Sequence, residues 1–384
     1  MSADRDLRVE LWAGRDRFAE HADELEVLLE AVDAPITARV SWLGTWLRAF
    51  PDAQPWVLAA RDTRGRLRAA APLVRQRRRW HSELVLIADG VSDHARLPAL
   101  DEPAANRLAD ALTSQLANLR SGWTLALRQL PPDDLVAVRV AARLRRARLL
   151  PGRSSPQTHI TRREVRAYLS KNHRGQARNR WNRLERDGHH PRVEFLREPA
   201  RIRAELDEIV AVCRAREREM LGRSPLDEPG RERFLREVTL ALAGQGAVEL
   251  VILRAGGEVA GYTINLLDGN AYRFYNGHHA PRWASYSPGR LIMLELVKRV
   301  LDDPALDTID WMMGQEPYKL SMANGEERAL ELLAWSSSAL GVRVFGAQRL
   351  RGRLEVAAGD DERAARLLQA LRASRQQARA RLAR

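Results

Sequence analysis

The sequence carries one helix–hairpin pattern twice, about 190 residues apart, and this repeat constrains the fold more than any other feature. Apolar residues four positions apart predict a helix in residues 36–50 and another in residues 231–244. Each helix is followed by two apolar runs around a glycine-containing turn, over residues 55–74 and 248–267, which is typical of a β-hairpin. We therefore expect two similar halves. The corresponding positions are Arg61 and Arg254, Gly65 and Gly257, and Leu67 and Val259.

The rest of the chain mixes strand and helix patterns in an order typical of an α+β protein. In the second half the patterns predict strands at 270–279, 308–313 and 329–337 and a helix at 287–303; in the first half they predict helices at 103–119 and 135–150 and a strand at 123–130. We expect mixed, mostly antiparallel sheets flanked by helices.

A short segment rich in Pro, Gly and Ser, residues 151–157, predicts a linker between the two halves. The expected organisation is therefore a first domain over residues 1–150, a second over 158–345, and a helical tail over 346–384.

Positive charge is concentrated in one band of the sequence. The net charge is +13, and the segment from Arg139 to Arg186 holds fifteen Lys or Arg residues against two acidic ones, which accounts for all of the excess. Within it, Ala177, Trp181 and Leu184 mark the packing stripe of a helix with arginines at its border. A single basic band indicates an anion-binding site, and the alternative is a solvated basic helix face.

Several classes of protein are disfavoured. No apolar run is long enough to span a membrane, and the charged N-terminus lacks a signal core, so we expect a cytoplasmic protein. A single cysteine, Cys213, excludes intrachain disulfides and any cysteine-based metal cage, and we expect it to be a packed residue. The pairs His189–His190 and His278–His279 lack the spacing of a zinc site, so they are interpreted as structural or substrate-contacting and no metal is expected. No helix-turn-helix or zinc-finger pattern supports DNA binding.

Residues 273–325 combine a Tyr-containing strand, a Ser-Pro-Gly turn that opens a helix, an Asp-containing strand that ends in Gly, and a Tyr-Lys pair. With this combination the second half resembles the GNAT-type acetyltransferase domain of the CelD/BcsL-like family, which is distantly related to Fem-type aminoacyl ligases. The basic stretch KNHRGQARNRWNRLERDG resembles the helix that opens this domain, and ADGVSDHARL resembles a first-half segment of the family, with His94 where Tyr is usual. The resemblance implies tandem GNAT-like domains, the first degenerate and the second active. The other matching residues are Tyr275, Ser287, Pro288, Gly289, Asp310, Gly314, Tyr318 and Lys319.

The same resemblance implies a set of site residues for transfer from acyl-CoA, used as co-substrate, to an amine or hydroxyl acceptor. The start of a helix offers free N–H groups to phosphates, and the expected cofactor-binding residues are Ser287, Pro288, Gly289, Arg290, Arg174 and Arg178. The expected catalytic residues are Asp310 or Glu316 as base, Tyr318 as acid and Lys319 as a neutralising charge. The expected substrate-binding residues are Tyr275, Asp93 and His94.

Each assignment has a structural alternative. Asp310 is equally well explained as a carboxylate that stabilises the end of a strand, and Tyr318 as a packed ring with a solvated hydroxyl. Two other functions also stay open. One is a Fem-type ligase that uses aminoacyl-tRNA, and the other is a non-catalytic module that binds RNA or another polyanion on the same scaffold.

Overall fold

The computed structural model describes residues 7–346, in which twelve strands form a single sheet with helices on both of its faces. The strands are β1 (Arg8–Ala13), β2 (Pro55–Arg61), β3 (Leu67–Arg77), β4 (His81–Leu86), β5 (Gly122–Leu130), β6 (Ala147–His159), β7 (Arg192–Leu196), β8 (Val248–Ala255), β9 (Glu258–Asp268), β10 (Ala271–His279), β11 (Thr308–Asp310) and β12 (Gly325–Trp335).

Eleven α-helices accompany these strands in the described part of the chain. They are α1 (Arg15–Glu20), α2 (Ala22–Ala31), α3 (Val40–Ala49), α4 (Glu102–Ala117), α5 (Leu135–Arg143), α6 (Lys171–Arg186), α7 (Pro199–Leu221), α8 (Pro229–Gly244), α9 (Pro288–Asp302), α10 (Pro317–Leu320) and α11 (Ser338–Gly341). Short 3₁₀ helices lie at Ile36–Ala38, Val165–Ala167, Pro225–Asp227 and Pro281–Tyr286, and a π-helix at Val342–Gly346.

The strand order shows that the chain is built from two equivalent halves. The order is β1-β2-β3-β4-β5-β12-β6-β11-β10-β9-β8-β7. In the first half, β1 to β4 pair antiparallel and β4 pairs parallel with β5. In the second half, β7 to β10 pair antiparallel and β10 pairs parallel with β11. The predicted repeat and the α+β fold class are confirmed.

The two halves exchange their last strands at the centre of the sheet. β6 follows β5 along the chain but pairs with β11, whereas β12 follows β11 but pairs with β5, and the two pair with each other. The predicted linker, residues 151–157, lies inside β6, so that prediction is wrong. Its Pro and Gly residues are typical of a turn, but pairing with β12 from the other half holds them in a strand, and Pro151 is accommodated beside a register shift. The predicted boundary between the domains therefore falls within a strand.

The repeat extends to a bulge and an ion pair. Each hairpin shifts register just before its arginine, which places Arg61 opposite Leu67 and Arg254 opposite Val259. Each guanidinium then ties the hairpin to the neighbouring edge strand and to a helix. The carboxylate partners are Glu10 and Glu24 in the first half, and Glu194, Glu205 and Glu208 in the second.

The second half places helices on both faces of its strands. Leu250 and Ile252 of β8 pack in one core with α7 and α8, while the alternating Val251 and Leu253 pack in another core with α6 and α9. Because successive side chains of a strand point to opposite faces, α7 and α9 lie on opposite sides of the sheet.

Some of the other secondary-structure predictions are wrong or incomplete. The predicted helix at 135–150 ends at Arg143 and gives way to β6, and β1, β4 and β7 were not predicted. The predicted tail lies outside the described residues from residue 347 onward. Among residues 7–346, no helix combines the length and apolar character needed to cross a bilayer.

Candidate active site

The site begins where the parallel strands β10 and β11 separate. They pair at only three positions, the last being Arg273 opposite Asp310. β10 then bulges between Phe274 and Asn276 and continues along β9 to His279, whereas β11 ends at Asp310. The separation leaves a gap at that edge of β10.

A cleft of about 570 Å³ occupies this region, a volume in the range typical of small-molecule sites. Its walls come from both faces of the sheet, because Arg216 of α7 and Arg290 of α9 both line it. The remaining walls come from β9, β10, the start of α6 and the α10 region. Three predicted site residues besides Arg290 line it, namely Ser287, Gly289 and Tyr318.

The first turn of α9 is open towards this cleft. Ser287 precedes the helix in a left-handed conformation, with φ of 54°, and within residues 7–346 its side chain makes no capping hydrogen bond. A methyl group built on Gly289 would meet no atom of residues 7–346 within 4 Å, so these residues leave the backbone accessible there. Pro288, by contrast, is buried and packs close to Gly261 of β9, so it positions the turn without lining the cleft.

Tyr318 lines the cleft and has a hydroxyl with a raised pKa. Its side chain comes from the short helix α10, is 42% exposed, and its hydroxyl makes no hydrogen bond within residues 7–346. Burial of the ring and the nearby Glu316 carboxylate raise the pKa of the Tyr318 hydroxyl. The group can therefore donate a proton, as the acid role requires.

Glu316 and Lys319 lie outside the cleft lining. Glu316 is exposed at the start of α10, 3.2 Å from the Lys319 ammonium. Lys319 is buried and donates to the carbonyl of Met313 at 2.9 Å. This carbonyl belongs to a loop in which Met312 and Gly314 have positive φ angles. Lys319 thus stabilises the loop, and its placement argues against the predicted role in neutralising charge on a substrate.

Asp310 is fully buried in a network of contacts between the halves. It accepts hydrogen bonds from Ser155 and the Met312 N–H, forms an ion pair with Arg273, and lies 2.8 Å from the imidazole of His94. Although burial opposes ionisation, the His94 and Arg273 charges hold the pKa of Asp310 far below its usual range. These contacts argue against a base role for Asp310 and support the structural alternative.

The three residues predicted to bind substrate lie at this interface and not in the cleft. Asp93 accepts a hydrogen bond from the Met313 N–H at 3.2 Å, and burial raises the pKa of its carboxyl. Tyr275 lies at the bulge of β10. Its ring packs against that of Trp42 in the first half, with the ring centroids 5.0 Å apart. Together with His94, these side chains join the halves beside the cleft, so the structure does not support direct substrate contacts for them.

The two arginines of α6 predicted to hold the cofactor line a separate cavity. Arg174 and Arg178 lie in a groove of about 1000 Å³ between α6 and α9, called here the α6–α9 groove. The groove adjoins the cleft, since Leu294 lines both. Another α6 residue, His173, lines the cleft. Only the start of the basic helix α6 therefore contributes to the site.

Sequence reasoning left open whether the pair His278–His279 is structural or contacts substrate, and it did not identify several other cleft residues. His278 and His279 line the cleft together although they are adjacent on a strand, because the cleft wraps around the end of β10. Burial, followed by the His279 and Arg216 charges, lowers the pKa of His278 to about 4. Gly277 was a usable signal: its Cβ position would lie 2.6 Å from the Phe274 ring, and a glycine required within a strand often marks a functional bulge. Nothing in the sequence indicated Arg216.

Comparisons with known proteins agree with this architecture. Residues 171–320 match the family model described as an acetyltransferase (GNAT) domain. Among solved structures, FemX shares 10% identity, with 84% of this chain and 98% of that chain covered and a TM-score of 0.58. L-PGS from Bacillus licheniformis shares 13% identity, with 85% and 96% covered and a TM-score of 0.52.

A search of curated protein sequences gives no significant match. At the low identities of the solved structures, their likeness shows the fold alone, and the finer resemblance to the CelD/BcsL-like family stays a prediction. The chain therefore has a GNAT-like fold in two tandem halves, and its residues 171–320 match the acetyltransferase (GNAT) domain.

Proposed function

We propose that the chain transfers an acyl group from acyl-CoA to an amine or hydroxyl acceptor, with the reaction in the cleft of the second half. The observation that carries this proposal is the gap between β10 and β11 beside the open first turn of α9. An extended donor with amide groups can pair with the free edge of β10, as peptides pair with sheet edges. The first turn of α9 then offers N–H groups and a partial positive charge to the donor's phosphates.

The transfer needs one proton removed and one returned. The acceptor nitrogen or oxygen loses a proton and attacks the thioester carbonyl; a carbon–nitrogen or carbon–oxygen bond forms and the carbon–sulfur bond breaks. Tyr318 is the proposed acid that protonates the departing thiolate, because this residue lines the cleft and its hydroxyl, which has a raised pKa, makes no hydrogen bond within residues 7–346. Glu316, which is exposed beside it, is the proposed base and receives the acceptor's proton through water.

The donor is tested by thermal unfolding of the full chain with CoA, dephospho-CoA and total tRNA, in a low-salt and a high-salt buffer. We expect CoA to raise the melting temperature, since a ligand at about 100 times its Kd stabilises the folded state by about 2.7 kcal/mol. Stabilisation by tRNA that collapses with salt would instead support the aminoacyl-tRNA or polyanion-binding alternatives. The absence of any shift with CoA would contradict the proposal.

The acid is tested by Tyr318→Phe. Release of free thiol from acetyl-CoA in the presence of a panel of amines should fall about 10²–10⁴-fold, the usual contribution of a general acid. Binding of CoA and the melting temperature should be retained, because the hydroxyl makes no hydrogen bond within residues 7–346. Tyr286→Phe is the matched control, since that hydroxyl donates to Asp187 outside the cleft. Equal thiol release by wild type and Tyr318→Phe would remove Tyr318 from the mechanism.

A further inference from the structure

Three side chains with metal-ligand chemistry meet beside the cleft. Cys213 and Glu217 are four residues apart on α7 and so lie on the same face of that helix. His278 follows the bulge of β10 and lines the cleft. The ligand atoms of the three side chains all lie within 4.8 Å of one another.

The distances suit one shared ion. Around a tetrahedral zinc ion with bonds of about 2.0–2.3 Å, neighbouring ligand atoms lie roughly 3–4 Å apart. Because the three ligand atoms lie no more than 4.8 Å apart, binding one ion needs side-chain shifts of at most about 1 Å. Sulfur, nitrogen and carboxylate oxygen are also the donor atoms that zinc prefers, and three protein ligands leave a fourth position open.

The surroundings of the cluster fit this assignment. One oxygen of Glu217 accepts a hydrogen bond from Ser224, which orients the carboxylate as partners beyond the ligand shell do at metal sites. The nearby Arg216 charge is offset by an ion pair with Glu219.

We propose that Cys213, Glu217 and His278 bind one zinc-class divalent cation, whose fourth position faces the cleft. As the sulfur–metal bond forms, the thiol releases its proton to solvent. Two positive charges then meet one thiolate and one carboxylate, so the complex is neutral, which suits a site with a buried cysteine. The proposal does not depend on acyl transfer. It departs from the sequence-based expectation of no metal, which rested on local spacing and cysteine number.

The test uses full-length protein freed of metal with a chelator and titrated with Co²⁺ or Zn²⁺. We expect one ion per chain, a thiolate-to-cobalt charge-transfer band in the near ultraviolet, ligand-field bands of a tetrahedral site, and a higher melting temperature with Zn²⁺. Cys213→Ser should lose the charge-transfer band. His278→Ala and Glu217→Gln should each weaken binding at least tenfold.

His279→Ala is the matched control, because His279 lines the same cleft but lies outside the cluster. It should keep the stoichiometry and the cobalt spectrum. The proposal is overturned if wild type binds no ion at one per chain, if the cobalt spectrum lacks the thiolate band, or if His279→Ala weakens binding as much as His278→Ala. Because His278→Ala leaves the cysteine in place, folding problems in Cys213→Ser would not obscure the outcome. These readouts involve no acyl donor, so their failure is distinguishable from failure of the proposed function.

Discussion

The first turns of α4 and α9 occupy equivalent places in the two halves but have opposite chemistry. Before α4, the Asp101 carboxylate accepts a hydrogen bond from the Ala104 N–H at 2.9 Å and also pairs with Arg68. Before α9, within the described part of the chain, the Ser287 side chain makes no capping hydrogen bond and no atom crowds the Cβ position of Gly289. A carboxylate already fills the anion-binding position of α4, whereas that of α9 is free.

The parallel strand pairs β4–β5 and β10–β11, next to these helices, also differ: the first ends in apolar residues and the second in charged ones. In the first half the last pair is Val85 opposite Ala126, both buried and apolar, and β4 ends one residue later. In the second half the last pair is Arg273 opposite Asp310, and β10 continues for six residues beyond it. One scaffold therefore supports a closed apolar half and an open polar half. That the first half is the degenerate one stays a prediction, which this contrast favours.

Replacing Asp310 with Asn would break this contrast at its buried ion pair and should have the largest effect. The variant removes the charged partner of His94 and leaves Arg273 with Asp268 as its remaining charged partner. We expect the free energy of unfolding to fall by about 3–5 kcal/mol, measured by urea denaturation. Asp307→Asn is the control, because Asp307 is exposed and its loss should cost within about 0.5 kcal/mol. Equal losses for both variants would contradict the structural role of Asp310.

The same pair predicts how stability depends on pH. Although burial favours neutral imidazole, the charge of Asp310 raises the pKa of His94 above its ordinary 6.5. The stabilisation from His94 is therefore present below pH 6.5 and is lost as pH rises through the raised pKa. Asp310, with its pKa lowered from 3.8, stabilises the fold above that pH and loses its effect only in strong acid. The free energy of unfolding should decline above neutral pH in wild type. This decline should be absent in Asp310→Asn.

The two hairpin arginines test whether the halves share one stabilising device. Arg61→Gln and Arg254→Gln should each lower the free energy of unfolding by about 1.5–3 kcal/mol, since each removes charge-assisted hydrogen bonds. The loss should be larger for Arg254, which contacts three carboxylates against two for Arg61. Arg192→Gln, an exposed arginine that contacts Glu194, should cost about 1 kcal/mol or less. A loss confined to one half would show that the repeated contact has lost its importance in the other.

Ser287→Asp would give α9 the carboxylate that α4 carries. An added negative charge beside the proposed phosphate site should weaken binding of CoA about tenfold, an effect of about 1.4 kcal/mol, measured by calorimetry. Ser287→Asn is the matched control, because Asn has nearly the shape of Asp without its charge and also tolerates a positive φ. If Asp and Asn weaken binding equally, size and not charge is responsible, and the phosphate would have to bind elsewhere.

The smallest effect is expected for the double variant Arg174→Gln, Arg178→Gln. Both residues line the α6–α9 groove and not the cleft, so affinity for CoA should change less than about threefold at physiological salt. Arg290→Gln, which changes a cleft arginine, should reduce affinity more. A loss in the double variant larger than in Arg290→Gln would restore the sequence-based assignment of these arginines and extend the donor site into the groove.

The sequence alone determined the parts of the fold that depend on local pattern. Apolar spacing located the two helix–hairpin units, and matched arginine and glycine positions indicated the duplication that the strand order confirms. The motif around Ser287, Gly289 and Tyr318 likewise located one wall of the cleft, because helix-start and turn chemistry can be read from neighbouring residues.

Only the tertiary structure decided which distant residues meet. The exchange of β6 and β12 turned a Pro/Gly-rich stretch into a central strand, because pairing partners more than 150 residues apart outweighed local turn preference. Tertiary packing also buried Asp310 beside His94, and the contacts formed there explain Asp310 as a structural residue. Packing of α7 against β10 brought His278 to Cys213 and Glu217, a spacing of 61 residues or more that no local motif contains. The spacing of apolar residues shows which face of a helix or strand is apolar. It does not show which face of another element will pack against that face.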